Sequence, residues 1–276
     1  MISGTLNMHF GIFPDDWRQI MKKNENPAAD CFKKYMLSKG CIASGDFKLN
    51  ADEQKSIPVQ KIYSHMEAIK EFHDMACGYS ESSGPKLKSS AGRLIENYKI
   101  SLKKVRKQIL KLQRQKDLND FEIYFLKNAD VMIKRGEKAV SKADNSRYMS
   151  LILRSMKNNE ICIGNTDFDN LRKEDTLKIV SFDSCSYDMV EIDGISFLRK
   201  LKKKRIDGDF KKMITDYCDI ERLGSESTDF MTAVLSYPYE FMKMSVRCIE
   251  NKRDLDVPYR LRKLKKAVKV DEEGRN

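Results

Sequence analysis

Ile163-Gly164-Asn165-Thr166-Asp167-Phe168-Asp169-Asn170 and, a few residues on, Leu177-Lys178-Ile179-Val180-Ser181-Phe182-Asp183-Ser184-Cys185 decide how this chain is read. The apolar runs 161–164 and 177–180 are too short for helices and are bounded by polar residues, so they predict two strands paired hairpin-fashion around a polar loop. Loops at strand ends carry polar side chains into clefts, and chemistry is expected here.

Outward from that loop the chain is helical. Val59, Ile62, Tyr63, Met66, Ile69, Phe72 and Met75 recur at spacings of three and four after Pro58, and Gly78 is the expected stop. Leu87, Ala91, Leu94, Tyr98, Leu102, Val105, Ile109 and Leu112 predict a long helix within 86–116, with lysines and arginines on its outer face. Further helices are predicted over 119–142, 146–157, from about Ile192, and over 208–219, 228–235 and 238–250. A last one starts after Pro258 and fades into a polar tail. Phe72, Phe182, Phe197, Tyr237 and Phe241 are assigned to the core. His73 reads as a hydrogen-bonded core or helix-end histidine rather than a ligand.

Residues 1–56 lack a sustained pattern. Trp17 to Lys22 is a short amphipathic stretch. Pro27 opens another, with Ala28, Ala29, Phe32, Tyr35 and Met36 on one side and Gly40 as its end. Gly45-Asp46-Phe47-Lys48-Leu49 is a candidate strand. The start of the chain lacks a basic n-region and a small-residue cleavage site, and no apolar run reaches the roughly 18 residues that cross a bilayer. A cytosolic protein with no membrane span is expected.

The chain has 276 residues, 41% of them apolar, with few Gly (13) and Pro (6), which argues against low-complexity disorder and a turn-rich β-sandwich. Seven cysteines are scattered without C-x-x-C spacing, so zinc-site spacing is absent and mostly buried, reduced thiols are expected. Nothing in the sequence lowers the thiol pKa of Cys162 or Cys185, which flank the loops. Lysine and arginine outnumber aspartate and glutamate by 52 to 41, a net charge of +11. That sign suits acidic partners. The basic residues are spread over several helices and interleaved with acids, so a solvated face is the commoner reading and nucleic acid is not the expected partner.

The two quoted segments have the frame of the phosphotransferase loop of aminoglycoside and choline kinases, H-G-D-x-x-x-x-N followed by a strand ending in an I-D-F-D-like segment. Gly164, Asn170, Phe182 and Asp183 match in place. The wider chain, about 57–268, resembles one branch of that superfamily, the CotS-type spore coat proteins. Ile69-Lys70-Glu71-Phe72-His73-Asp74-Met75-Ala76-Cys77-Gly78-Tyr79 is similar to their "fH.aS.Gy" segment, and Ser181 to Asp188 to their "DFDyC..D" segment. Asp193-Gly194-Ile195 stands where they have D-L-A, and Ser236 to Lys243 is similar to their "YPw.Fwk". The resemblance implies a mainly α (α+β) fold: a kinase-like helical C-lobe over 57–268 with a short β-hairpin region. Residues 1–56 would be a reduced N-lobe or cap, and 269–276 a polar tail. It also implies a mother-cell cytosol to spore coat destination and other coat or sporulation proteins as partners.

The departures are chemical. Asn165 stands at the family's catalytic Asp, and an amide cannot accept a proton as a carboxylate does. Ile163 stands at the His, and Ser181 at the main metal-binding Asp, where it brings no charge to magnesium. Only about 56 residues precede the C-lobe, with no Gly-rich loop and no V-A-I-K-like strand. The expectation is a non-catalytic pseudokinase with no catalytic residue, no metal and no cofactor. It would act in structure or interaction, with 86–116, 199–205 and 259–269 as basic docking faces. One alternative is a divergent small-molecule phosphotransferase using ATP and magnesium around Asp167, Asp169, Asn170 and Asp183, with Asn170, Asp183 and Asp167 as residual binding candidates. Another is a polyanion-binding protein.

Overall fold

A computed structural model describes residues 26–45, 47, 57–80, 85–250 and 256–273. The candidate stretch Trp17 to Lys22 and most of the candidate strand 45–49 lie outside them.

The first described helix, α1 (Pro27–Ser38), carries Asn26 at its N-cap and Pro27 in its first turn, and it buries Ala28, Ala29, Phe32 and Met36. The strand that follows is β1 (Ile42–Ala43), a pair of residues that the sequence pattern does not single out. It runs parallel to β4 (Leu177–Ile179), with Ile42 opposite Lys178. The Phe32 ring lies about 6.1 Å from both Phe72 and Phe182 and 5.0 Å from Tyr79. Part of the segment read as irregular therefore docks on the strand that leads into Ser181-Phe182-Asp183.

α2 (Val59–Ala76) buries Ile62, Met66, Ile69 and Phe72 at helical spacing, as expected. α3 (Arg93–Leu112) starts later than predicted but buries the predicted Tyr98, Leu102, Val105, Ile109 and Leu112. α4 (Asp120–Asn145) opens with a capping box: Asn119 Oδ1 accepts from the Glu122 N–H, and Glu122 Oε2 accepts from the Asn119 N–H, each at 3.1 Å. α5 (Tyr148–Asn158) then delivers the chain to β2 (Ile161–Cys162).

The strand pairing differs from the sequence reading. The runs at 161 and 177 do not pair with each other. β2 pairs antiparallel with β5 (Ser186–Tyr187), and β4 pairs antiparallel with β3 (Leu171–Lys173), a strand too short and too basic to stand out as apolar. The hairpin is thus β3–β4, turning at 174–176, and one sheet has the order β1-β4-β3.

α6 (Glu191–Lys204) follows, then α7 (Phe210–Ile220), α8 (Ser225–Leu235), α9 (Tyr239–Glu250) and α10 (Val257–Glu273). α4 lies at the centre of the helical part, packed against α3, α8 and α10. Tyr98 of α3 stacks on Tyr237 at 3.8 Å, ring planes 7° apart. α10 does not fade where a tail was expected. The Asp271 carboxylate accepts the Glu240 N–H at 3.3 Å and the Phe241 N–H at 2.7 Å, capping the start of α9. Arg135 of α4 donates to the Asp271 carbonyl at 2.5 Å. Burial lifts the Asp271 carboxyl to about 6 despite those bonds.

Arg154 ties α5 to the rest. Its guanidinium forks onto Glu160 at 2.9 and 3.0 Å and onto Glu191 at 2.9 and 2.7 Å, while Ser227 Oγ donates to Glu191 at 2.5 Å. Glu191 is fully buried, and the planar fork meets the demand of a desolvated carboxylate for donors. None of the seven cysteines is in a disulfide, and five are buried. No described helix is long and apolar enough to cross a membrane.

Candidate functional site

The loop between β2 and β3 is held from beneath by Asp193, in the first turn of α6. Its carboxylate accepts the Ile163 N–H at 2.7 Å, the Gly164 N–H at 3.0 Å and His73 Nε2 at 3.0 Å. Asp193 is fully buried, so its charge needs these donors. Gly164 has φ +73°, and a Cβ there would meet the Ser184 carbonyl oxygen at 2.5 Å. Both the left-handed turn and the close backbone approach require glycine.

His73, in the last turn of α2, points its second nitrogen at Glu221, 2.7 Å away. Carboxylates face both ring nitrogens, so both carry protons. Burial works against the charge, but Glu221 and Asp193 outweigh it and lift the imidazole to about 10. The core-histidine reading holds. His65 is the opposite case: burial holds it down to about 4, and its Nε2 bonds the Thr166 carbonyl at 3.0 Å. A carbonyl only accepts, so His65 is neutral with its proton on Nε2. Its ring lies 4.2 Å from that of Phe168, which in turn packs on Phe197 of α6.

Ile163 is buried in the core. Asn165 is half-exposed. Its Oδ1 accepts the Asp167 N–H at 3.3 Å, closing the loop on itself, and accepts from Lys200 Nζ at 3.4 Å. Lys200 also pairs with Asp167 at 3.0 Å. Asn170 is 2% exposed and bridges the two quoted segments: its amide NH2 donates to the Asn165 carbonyl at 2.9 Å, and its Oδ1 accepts the Ser181 N–H at 2.9 Å. Ser181 Oγ donates to Asp183 Oδ2 at 2.7 Å. The structure therefore gathers Asn165, Asp167 and Lys200 at one point and Ser181 with Asp183 at another, joined through Asn170. Asp169 is exposed and makes no contact in this network.

Lys200 is the residue sequence reading missed. In the sequence it is one cation of the basic run 199–205, read as a docking face rather than as part of the loop. The signal was helical spacing: Asp193, Phe197 and Lys200 are four and three residues apart and share one face. That face meets Ile163 and Gly164 through Asp193, the Phe168 ring through Phe197, and Asn165 with Asp167 through Lys200.

His73, Cys162 and Asp193 bring potential ligand atoms within 4.8 Å of one another. The Cys162 thiol, pushed well up by burial, donates to the Met189 carbonyl at 3.0 Å, and both His73 nitrogens are taken. The donor set is a closed hydrogen-bond cluster with no thiolate or free imidazole lone pair to offer a metal. Burial also pushes the Cys185 thiol well up, so neither cysteine flanking the loops is activated.

No protein-family model matches the chain, and no curated protein matches it. Its fold is similar to that of a solved aminoglycoside phosphotransferase from Alicyclobacillus acidocaldarius. The TM-score is 0.68 at 10% sequence identity, over 89% of this chain and 79% of that one.

Proposed function

We propose that this chain, which has an aminoglycoside phosphotransferase-like fold, is a non-catalytic relative of that superfamily acting as a structural or interaction protein. One observation carries the reading: the loop position of the catalytic base holds an amide, Asn165, whose oxygen receives the Lys200 ammonium at 3.4 Å. That lysine also pairs with Asp167 at 3.0 Å, so the loop's nearest carboxylate is taken, and the amide offers nothing that accepts a proton from a hydroxyl. Asn170 and Ser181, at metal-ligand positions of the family loop, spend their polar atoms on the loop backbone and on Asp183. The motif resemblance to CotS-type proteins supports a place among spore coat or sporulation proteins.

A divergent phosphotransferase is the second reading, favoured by the likeness of the fold to that of an aminoglycoside phosphotransferase. A phosphoryl-transfer assay separates them. With ATP, magnesium and a panel of aminoglycoside and amino-alcohol acceptors, the first reading expects no transfer above a protein-free blank. Turnover that disappears in Asp183→Asn supports the second. For the coat role, immunodetection in fractionated sporulating cells should find the chain in the coat layer, and exclusion from that layer removes the role.

A further inference from the structure

A second site lies on the far helices. α9 and α10 pack against each other, and between them and the end of α6 is a cavity of about 240 Å3. Lys243 and Arg247 enter it from α9, one turn apart. Lys263 and Lys266 enter from α10. A fifth cation, Lys203, is held by Glu240 at 3.2 Å. The other four have no carboxylate within ion-pair range among the described residues. Aromatic faces orient two of them: Lys243 Nζ stands 5.6 Å from the Tyr239 ring centre, and Lys263 Nζ 5.3 Å from that of Tyr259.

Four like charges around one concavity repel one another in the free protein. Compact, multiply charged anions relieve that repulsion most. A phosphate group carries roughly −1.5 to −2 charge at neutral pH, so two or three linked phosphates match four cations within this volume. Arg247 offers the planar fork that grips phosphate with two parallel bonds, and the lysines add point charges. A chain of carboxylates spreads its charge over roughly 3.3 Å per residue and cannot concentrate it equally. Met244, Ala267 and Val270 form an apolar floor. That floor gives the carbon part of an organic ligand a place to rest.

We infer that this cavity between α9 and α10 is a binding site for a small polyphosphate, inorganic or organic. The site is independent of the loop 163–170. Its residues are also distinct from the nucleotide candidates Asn170, Asp183 and Asp167.

The test is calorimetric titration of the full chain with inorganic tripolyphosphate in EDTA, at about 0.15 M salt so that diffuse attraction is screened. One-to-one binding is expected. It should weaken about tenfold or more in Lys263→Gln/Lys266→Gln and again in Lys243→Gln, which approaches from the other helix. Lys107→Gln/Lys111→Gln on the exposed basic face of α3 should leave it unchanged. All the altered lysines are exposed, and matching thermal melts confirm that the variants fold. Titration of ADP in the same buffer separates organic from inorganic ligands: tighter binding than pyrophosphate assigns the apolar floor to the carbon part, and equal binding assigns an inorganic chain. No tripolyphosphate binding, equal loss in the α3 pair, or equally tight binding of hexaglutamate or duplex DNA each overturns the inference. Because magnesium is absent, failure here leaves the reading of the 163–170 loop intact.

Discussion

Lys200 Nζ stands 3.0 Å from Asp167 Oδ2, so the carboxylate two residues beyond Asn165 is already neutralised by a lysine of the helix beneath it. Both side chains are about a third exposed, at 32% and 39%. Such a pair contributes little to stability, and Lys200→Met should change the unfolding free energy in urea by less than about 1 kcal/mol. The same variant frees Asp167 but leaves Asn165 and Ser181 in place, so no phosphoryl transfer should appear. A gain of transfer on removing the lysine would mean that Asp167 is a competent base held in check.

Asp193 is a different kind of charge. It is fully buried and receives two loop N–H groups and one imidazole. Asp193→Ala leaves three donors without an acceptor, and breaking a buried pair costs about 3–5 kcal/mol. The urea midpoint should fall accordingly, and amide exchange at Ile163 and Gly164 should accelerate more than in α4. An unchanged midpoint would show that the loop does not depend on this anchor.

The two buried histidines pull stability in opposite directions with pH. His73 titrates near 10 in the folded chain against an ordinary value of 6.5. The stability it contributes is complete below pH 6.5 and is lost as pH rises through 10. His65, held to about 4, contributes stability that is complete above pH 6.5 and is lost as pH falls through 4. His73→Gln should therefore lower the urea midpoint most at pH 6 and below, with the gap to the parent protein shrinking between pH 6.5 and 10. A gap that stays constant across that range would contradict the charged His73.

Gly194, next to the anchor, leaves no room for a side chain. A Cβ there would sit 2.4 Å from the Tyr217 ring and 2.8 Å from Met231 Cε. Tyr217 is fully buried and its hydroxyl donates to the Val190 carbonyl at 2.8 Å, so the ring cannot swing aside freely. Gly194→Ala gains helix propensity but should still destabilise by about 1–3 kcal/mol through overpacking. A stabilised variant would show that α6 and α7 separate more easily than this packing implies.

The helices were legible because apolar residues at spacings of three and four imprint directly on sequence: Ile62, Met66, Ile69 and Phe72 form one face wherever the helix packs. Strand pairing was not. β3 is Leu171-Arg172-Lys173, whose partner is fixed by backbone bonds that side-chain pattern does not record, and β2 meets β5 across the whole intervening loop and hairpin. The same divide runs through the site. Asn165, Asn170 and Ser181 were visible as departures from or matches to a motif. Lys200 and Glu221 were not, because their roles come from what tertiary packing places opposite them. Asp271 read as tail for the same reason: nothing in Asp271-Glu272-Glu273 announces a cap for a helix that begins more than thirty residues earlier.

The most direct measurement is a thermal-shift titration of the full chain with ATP, with and without magnesium. A ligand about 100-fold above its Kd adds about 2.7 kcal/mol to the folded state, which in a chain of this size moves the midpoint by several degrees. On the proposed non-catalytic reading magnesium adds nothing to whatever shift ATP produces, since neither Asn165 nor Ser181 brings a charge to a metal. A magnesium-dependent rise that vanishes in Asp183→Asn would contradict it and restore the loop as a working nucleotide site.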